Sequence, residues 1–467
     1  MHRARTAQRT FRRRFGRAGA AWAVLCSALS ITAARAQQTS EPSPPTDGPS
    51  ADPSAGEVPP LSSEQPTATP TAPPTNGPPG YLVTGDQTPT DVSVELAEDR
   101  TPRKSLLELS AFEGPFVYLR KQSEELYEKT GLKLGLAYTM LFQQASGGPG
   151  DRSAGGGDLD LLASWTAIGR GTKDTGTVYF AAEYRNQIGS QPPSALGGEI
   201  GSLTGTTNGF SERPMVVKEV YWKQALFDGR FVWGLGRVDP ENLFGGHKLQ
   251  SQNLYFLNQA FSTNPTVPYP GSGFAIAAAY KPVDWFYVGG GIDNANGSTT
   301  SITIDEFFDE AEFLTFAEAG YTPTIEDLGK GRYRISLWHI DAREKAGTPS
   351  DQGISLIADQ ELGKRTTAFA RYAWADEGLR SVRQLVEGGI VRNGLLGGAD
   401  DQTGFAAAWL QPSEEDLRDQ YVLEVYQRFQ VTAQTQLTFD AQLILDPSDA
   451  PDDDAVGVFS VRLRFAF

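Results

Sequence analysis

Phe459-Ser-Val-Arg-Leu-Arg-Phe-Ala-Phe467 closes the chain, and its reading decides the fold. Side chains alternate between the two faces of a strand, so Phe459, Val461, Leu463, Phe465 and Phe467 share one face. Ser460, Arg462 and Arg464 take the other. An apolar face backed by a charged one separates hydrocarbon from water, as a strand of a transmembrane β-barrel must. Soluble sandwiches alternate as well, but they rarely end on such a strand with Phe as the last residue. The chain therefore reads as an all-β protein of the bacterial outer membrane. Phe467, Phe465 and Leu463 form the signal that the barrel assembly machinery recognises, and outer-membrane lipid covers the apolar face.

The other end of the chain fits export. Arg3, Arg5, Arg9, Arg12, Arg13, Arg14 and Arg17 make a basic start, followed by the apolar run 18–34. Ala34-Arg35-Ala36 supplies the small residues that signal peptidase needs, which predicts a mature chain beginning at Gln37. Leu25 before Cys26 is too large for lipoprotein processing, and Cys26 is the chain's single cysteine. The mature chain then has no disulfide, no cysteine ligand and no cysteine nucleophile. Loss of the leader's eight arginines leaves 33 basic against 57 acidic residues, a net charge of −24. An exported chain so acidic is no nucleic-acid binder. No later run reaches 18 consecutive apolar residues, which excludes helical spans.

Residues 37–104 follow the leader as a Pro-rich segment predicted to be disordered; 14 of the chain's 30 prolines lie between Glu41 and Thr90. Such a tether, at about 3.1 Å per residue, reaches on the order of 150 Å and can touch the cell wall. Residues 105–130 read as a short helical segment, interrupted at Pro115 and amphipathic from Val117 to Lys129. From residue 131 to 467 the period is two. Sixteen candidate strands follow one another, from Leu132–Gln144 to Val456–Phe467. Connections after even-numbered strands are tight, as at Asp228-Gly229, and those after odd-numbered strands are long, above all 189–214 and 238–273. Short periplasmic turns and long outer loops predict a 16-stranded antiparallel transmembrane β-barrel, wide enough for an aqueous channel.

Several stretches resemble the carbohydrate-selective porin (OprB-type) family. They are Gly131-Leu-Lys-Leu-Gly-Leu-Ala-Tyr138, Trp233-Gly-Leu-Gly-Arg-Val-Asp239, Phe256-Leu-Asn-Gln-Ala-Phe261 and the Pro-Gly-Ser-Gly turn at 270–273. The glycine-rich turn 394–404, Glu424-Val-Tyr426, Asp440-Ala-Gln442 and the terminal strand continue the likeness. Phe112-Glu-Gly-Pro115 departs from the family's tryptophan-glycine pair, and Gly398-Ala399 stand where its members usually carry an arginine. The resemblance implies inward-folded outer loops that narrow the lumen. It also implies passive diffusion of monosaccharides or small oligosaccharides over a weak binding site.

A sugar offers hydroxyls that donate and accept and C–H faces that lie on aromatic rings, so its channel mixes carboxylates, guanidinium groups and aromatics. Strand parity turns Tyr179, Glu183 and Arg185 inward, and likewise Glu219, Tyr221 and Lys223. Arg237 and Asp239 end a strand that enters the longest outer loop, where a constriction is expected. Glu318, Arg371 and Glu424 occupy strand positions where the resemblance places polar residues. Trp165, Trp222, Trp285 and Trp409 fall near strand ends and suit interfacial girdles. No cofactor or metal site is read: the acidic stretch 446–454 lacks the glycine and terminal glutamate of a calcium loop.

Three other readings stand beside the sugar porin. An enzyme is disfavoured because His247 and His339, the two histidines left after processing, lie in no catalytic motif. A barrel anchor or adhesin and a general diffusion porin remain alternatives, and the sequence leaves monomer or trimer open. The leader reading predicts that mass spectrometry of the membrane-embedded protein finds Gln37 as the first residue. A mature protein recovered in the soluble periplasm would end the barrel hypothesis.

Overall fold

A computed structural model of the protein describes residues 90–101, 103–107 and 110–467. The leader, its cleavage before Gln37 and the Pro-rich stretch to residue 89 lie outside the described residues.

Period-two alternation becomes sixteen wall strands. β1 (Leu132–Ala145), β2 (Ser153–Ile168), β3 (Gly176–Gln187), β4 (Arg213–Leu226), β5 (Phe231–Val238), β6 (Gly273–Val283), β7 (Phe286–Asn294) and β8 (Phe313–Tyr321) make one half. β9 (Gly329–Ile340), β10 (Asp351–Glu361), β11 (Thr366–Ala375), β12 (Val382–Asn393), β13 (Gln402–Pro412), β14 (Gln420–Gln430), β15 (Thr435–Leu445) and β16 (Ala455–Ala466) make the other. A two-residue strand, Thr324–Ile325, extends the β8–β9 turn. Each strand pairs antiparallel with its neighbours, and β1 pairs with both β2 and β16, so the sheet closes. Closure matters because hydrocarbon offers no hydrogen bonds to an open edge.

The two faces sort as the sequence predicts. Phe459, Val461, Phe465 and Phe467 are exposed, whereas Arg462 and Arg464 are buried within the barrel. Connections alternate too: the β4–β5 turn holds Asp228 at φ 59° and Gly229 at φ 77°, the left-handed pair of a type I′ hairpin. Trp165 and Trp285, both near periplasmic strand ends, lie exposed where a girdle belongs.

Two helices precede the barrel. α1 (Val92–Arg100) falls in a segment that the sequence reading gave to disorder. Its apolar stripe is only Val92 and Leu96, too little to register as a period; Asp91 caps it by accepting the Ser93 N–H at 2.8 Å. α2 (Ser110–Thr130) is longer than the expected amphipathic half, and it runs through Pro115 rather than breaking there.

The last strand is joined to the first by pairs from Ala137↔Ala466 to Ala145↔Val458. Beyond them, Leu136 and Phe467 exchange backbone hydrogen bonds of 2.9 and 3.1 Å. Deleting Phe467 removes that last pair and the terminal ring while leaving export untouched. The truncated chain is expected to be processed normally but to insert slowly, measured as heat-modifiable barrel in pulse–chase fractions. Insertion at the wild-type rate would deny Phe467 a role in assembly.

Candidate functional site

The long connection 239–272 has almost no regular structure, yet nearly all of it is buried within the barrel. Its backbone groups therefore need partners other than water. The wall supplies them as charges. Arg371 donates to Gly245 O at 3.0 Å, to the Gln250 side chain at 3.0 Å, to Ala260 O at 3.3 Å, and to Thr263 O. Arg428 reaches Leu254 O at 2.8 Å, Arg462 reaches Gln252 O and Tyr255 O, and Arg334 reaches Gly246 O. Carboxylates take the opposite groups: Glu424 accepts the N–H of Leu257 at 2.5 Å and of Asn258 at 3.0 Å. Asp359 accepts the N–H of Lys248 at 2.8 Å.

Apolar contacts seat the same loop. Phe256 and Phe261 are fully buried, with the Phe256 ring edge-on to Tyr426 at 5.1 Å. His247 stacks on Phe369 at 3.9 Å. Its Nδ1 accepts the Leu249 N–H at 3.2 Å, which leaves Nε2–H to donate to Phe261 O at 2.8 Å. This is the neutral tautomer. Burial, reinforced by the Arg371 charge, holds the His247 pKa well below the ordinary imidazole value.

The candidate residues divide into two groups. Tyr179, Glu183, Arg185, Glu219, Tyr221, Lys223, Arg237 and Asp239 share the inner wall of β3–β5 and the start of the loop. Arg185 bridges Asp158 at 3.2 Å and Glu183 at 2.8 Å, and Arg213 reaches Glu183 at 3.0 Å. The Tyr179 and Tyr221 rings stack 5.1 Å apart. Arg237 points all three guanidinium nitrogens at carbonyls: Val217 at 2.9 Å, Ser272 at 2.8 Å and Ser298 at 2.6 Å. It ties two outer loops to β4. Glu318, Arg371 and Glu424 stand elsewhere on the wall, and Arg371 and Glu424 anchor the inner loop directly. Glu318 takes Ser336 at 2.5 Å and Tyr287 at 2.8 Å and lies 3.4 Å from Arg334.

Sequence reasoning missed Lys218, because alternation from Glu219 turns it toward lipid. In the β3–β4 pairing, Ala181 faces Glu219 and Ala182 faces Val217, so Lys218 is an extra, bulged residue. The bulge brings its ammonium 3.0 Å from the Asp239 carboxylate, and both side chains stay about one-fifth exposed. Burial works against ionisation of Asp239, but Lys218 and the Glu241 N–H hold its pKa below the usual carboxylate range. Glu241, next along the loop, is pushed up to about 7 by burial and then by the Asp239 charge.

Residues 154–467 match the carbohydrate-selective porin, OprB family. The chain belongs to that family. Among solved structures, Pseudomonas putida OprB in its high-pH form covers 74% of this chain and 96% of its own, at 18% identity and a TM-score of 0.60. The low-pH form covers 76% and 97% at 17% identity and a TM-score of 0.46. A variant of the Rh. blastica porin covers 72% and 100% at 10% identity and a TM-score of 0.43. No curated protein matches the chain.

The family and the closed barrel make this a channel of the bacterial outer membrane. In this OprB-family porin wall charges fasten the backbone of the inner loop, so its position depends on individual wall residues. Arg371→Ala leaves three loop carbonyls, Gln250 and Glu387, which lies 2.8 Å from the guanidinium, without their donor. Breaking a buried charged pair costs about 3–5 kcal/mol. The variant is expected to lower the unfolding midpoint and to give a noisier, larger single-channel current. A quiet current of wild-type size would show that the loop does not need Arg371.

Proposed function

We propose that this porin passes monosaccharides or small oligosaccharides by passive diffusion, over a weak site on the β3–β5 side of the lumen. The observation that carries this reading is the Lys218–Asp239 pair, still about one-fifth exposed, beside a wall of paired charges and stacked tyrosines. Asp239 accepts hydroxyl protons, Lys218 donates to hydroxyl oxygens, and the aromatic rings suit C–H faces. Arg237, its three nitrogens occupied by carbonyls, positions the loops around that pair. Catalysis has no part in this reading: His247 is sequestered inside the loop, and His339 sits on the outer face 3.2 Å from Asp341. Outer-membrane lipid surrounds the barrel, and the assembly machinery reads its last strand.

Liposome swelling with sugars and size-matched polyols tests the class of solute. Faster entry of sugars supports the site; equal rates would make the protein a general diffusion porin. Asp239→Asn keeps the side-chain oxygen that caps Glu241 N–H at 3.1 Å and removes the charge. A charged hydrogen bond is worth about 1.5–3 kcal/mol, and water in the channel replaces part of it. The sugar concentration that half-blocks ion current is therefore expected to rise by roughly tenfold or less. An unchanged half-block with altered ion selectivity would reduce Asp239 to an electrostatic wall residue.

A further inference from the structure

α1 lies inside the barrel. Arg464, on the inner face of β16, forks onto Asp99 at 2.6 and 3.0 Å and lies 3.7 Å from Glu95. Val92 and Leu96 bury against Leu162 of β2 and Ala181 of β3, with Tyr179 packed alongside. A side chain at Gly135 on β1 would sit 2.6 Å from the Leu96 methyl, so helix and wall are in close contact. At the helix start, Tyr221 donates to Asp91 at 3.4 Å and Thr90 donates to Asn242 of the inner loop at 2.7 Å. At its end the chain turns along the periplasmic rim. There Arg103 meets Glu98 at 2.5 Å, and Leu106 and Leu107 donate to Gln430 O and Val431 O at 2.8 and 3.0 Å.

α1 covers the tyrosine part of the surface proposed for sugar. Asp91 engages the Tyr221 hydroxyl as a solute hydroxyl would, and the methyls of Val92 and Leu96 pack beside the tyrosine pair as a C–H face would. We propose that α1 is a built-in occupant of the sugar path, whose presence sets the free width of the channel. This rests on the sugar-porin reading for the identity of the displaced solute, but not for the effect on width. A helix is about 10–12 Å across with its side chains, which is large against a sixteen-stranded lumen already holding the loop 239–272. A nine-residue helix is marginal alone in water, so the seat maintains the helix as much as the helix fills the seat.

The test compares three forms in planar bilayers: the mature chain, a deletion of 41–89 that keeps α1, and a deletion of 41–101 that removes it. The first two are expected to conduct alike. Removing α1 is expected to raise conductance by roughly 1.5-fold or more, given the helix's cross-section. Equal conductance in all three overturns the proposal. Should the longer deletion fail to assemble, Asp99→Ala unseats α1 in the full chain and is read the same way. An independent check places Leu96→Cys with Gly135→Cys, in a chain whose single native cysteine lies in the leader. A cross-link in the assembled barrel is expected, and its absence under oxidation overturns the seat. A conductance step on losing α1 without sugar entry in any form would keep the helix and sink the sugar reading.

Discussion

Every backbone polar group in this molecule must find a partner where water is scarce, and that requirement shapes both the wall and what it encloses. In the wall the answer is topologically simple: sixteen strands pair in sequence by hydrogen bonds and the last returns to the first. The pairing of β1 with β16 therefore bears on all the others, because an unpaired strand edge in hydrocarbon would expose a whole row of N–H and C=O groups. Inside, a long loop without ladders faces the same demand and meets it with side chains. Arg334, Arg371, Arg428 and Arg462 donate to its carbonyls, while Glu424 and Asp359 accept from its N–H groups.

Anchoring by charge has consequences for rigidity. A guanidinium offers five donors in a fixed plane, so Arg371 can hold four acceptors of the loop at once. A buried charge that loses its partner is heavily penalised, so these contacts favour one loop position over nearby alternatives. Neutral contacts then lock the detail: His247, held in one tautomer by Leu249 and Phe261, stacks on the wall at Phe369. Arg237 holds the end of the same loop through Ser272 and extends the scheme to one more outer loop through Ser298.

The barrel was legible because lipid imposes a strict period. Residues such as Phe459 and Val461 have no alternative to the outer face, and their alternation survives in a single sequence. The tight hairpin at Asp228-Gly229 was legible because left-handed backbone restricts residue choice. What the inward charges do was not legible. Arg371 and Glu424 were visible as inward polar residues, but their partners are backbone groups of an irregular loop, which carry no residue signature. Lys218 was hidden by a one-residue bulge that alternation cannot anticipate. α1 was hidden because Val92 and Leu96 alone make too narrow a stripe, and its stability comes from Arg464, far away in the chain.

The electrostatics of the lumen bear on solute choice. Arg332 pairs with Asp359 at 2.8 Å, Arg371 with Glu387 at 2.8 Å, Arg464 with Asp99 at 2.6 Å and Arg185 with Glu183 at 2.8 Å. Pairing cancels most of the field that each group would project along the path, and the carbonyl contacts use up guanidinium donors besides. A channel selecting ions would keep such charges unpaired and of one sign, to raise the local concentration of its counter-ion. Here the wall keeps hydrogen-bonding capacity at Lys218 and Asp239 while balancing their charges against each other at 3.0 Å. That combination is what the proposed sugar path requires, because a neutral, polyhydroxylated solute gains from donors and acceptors and nothing from net potential.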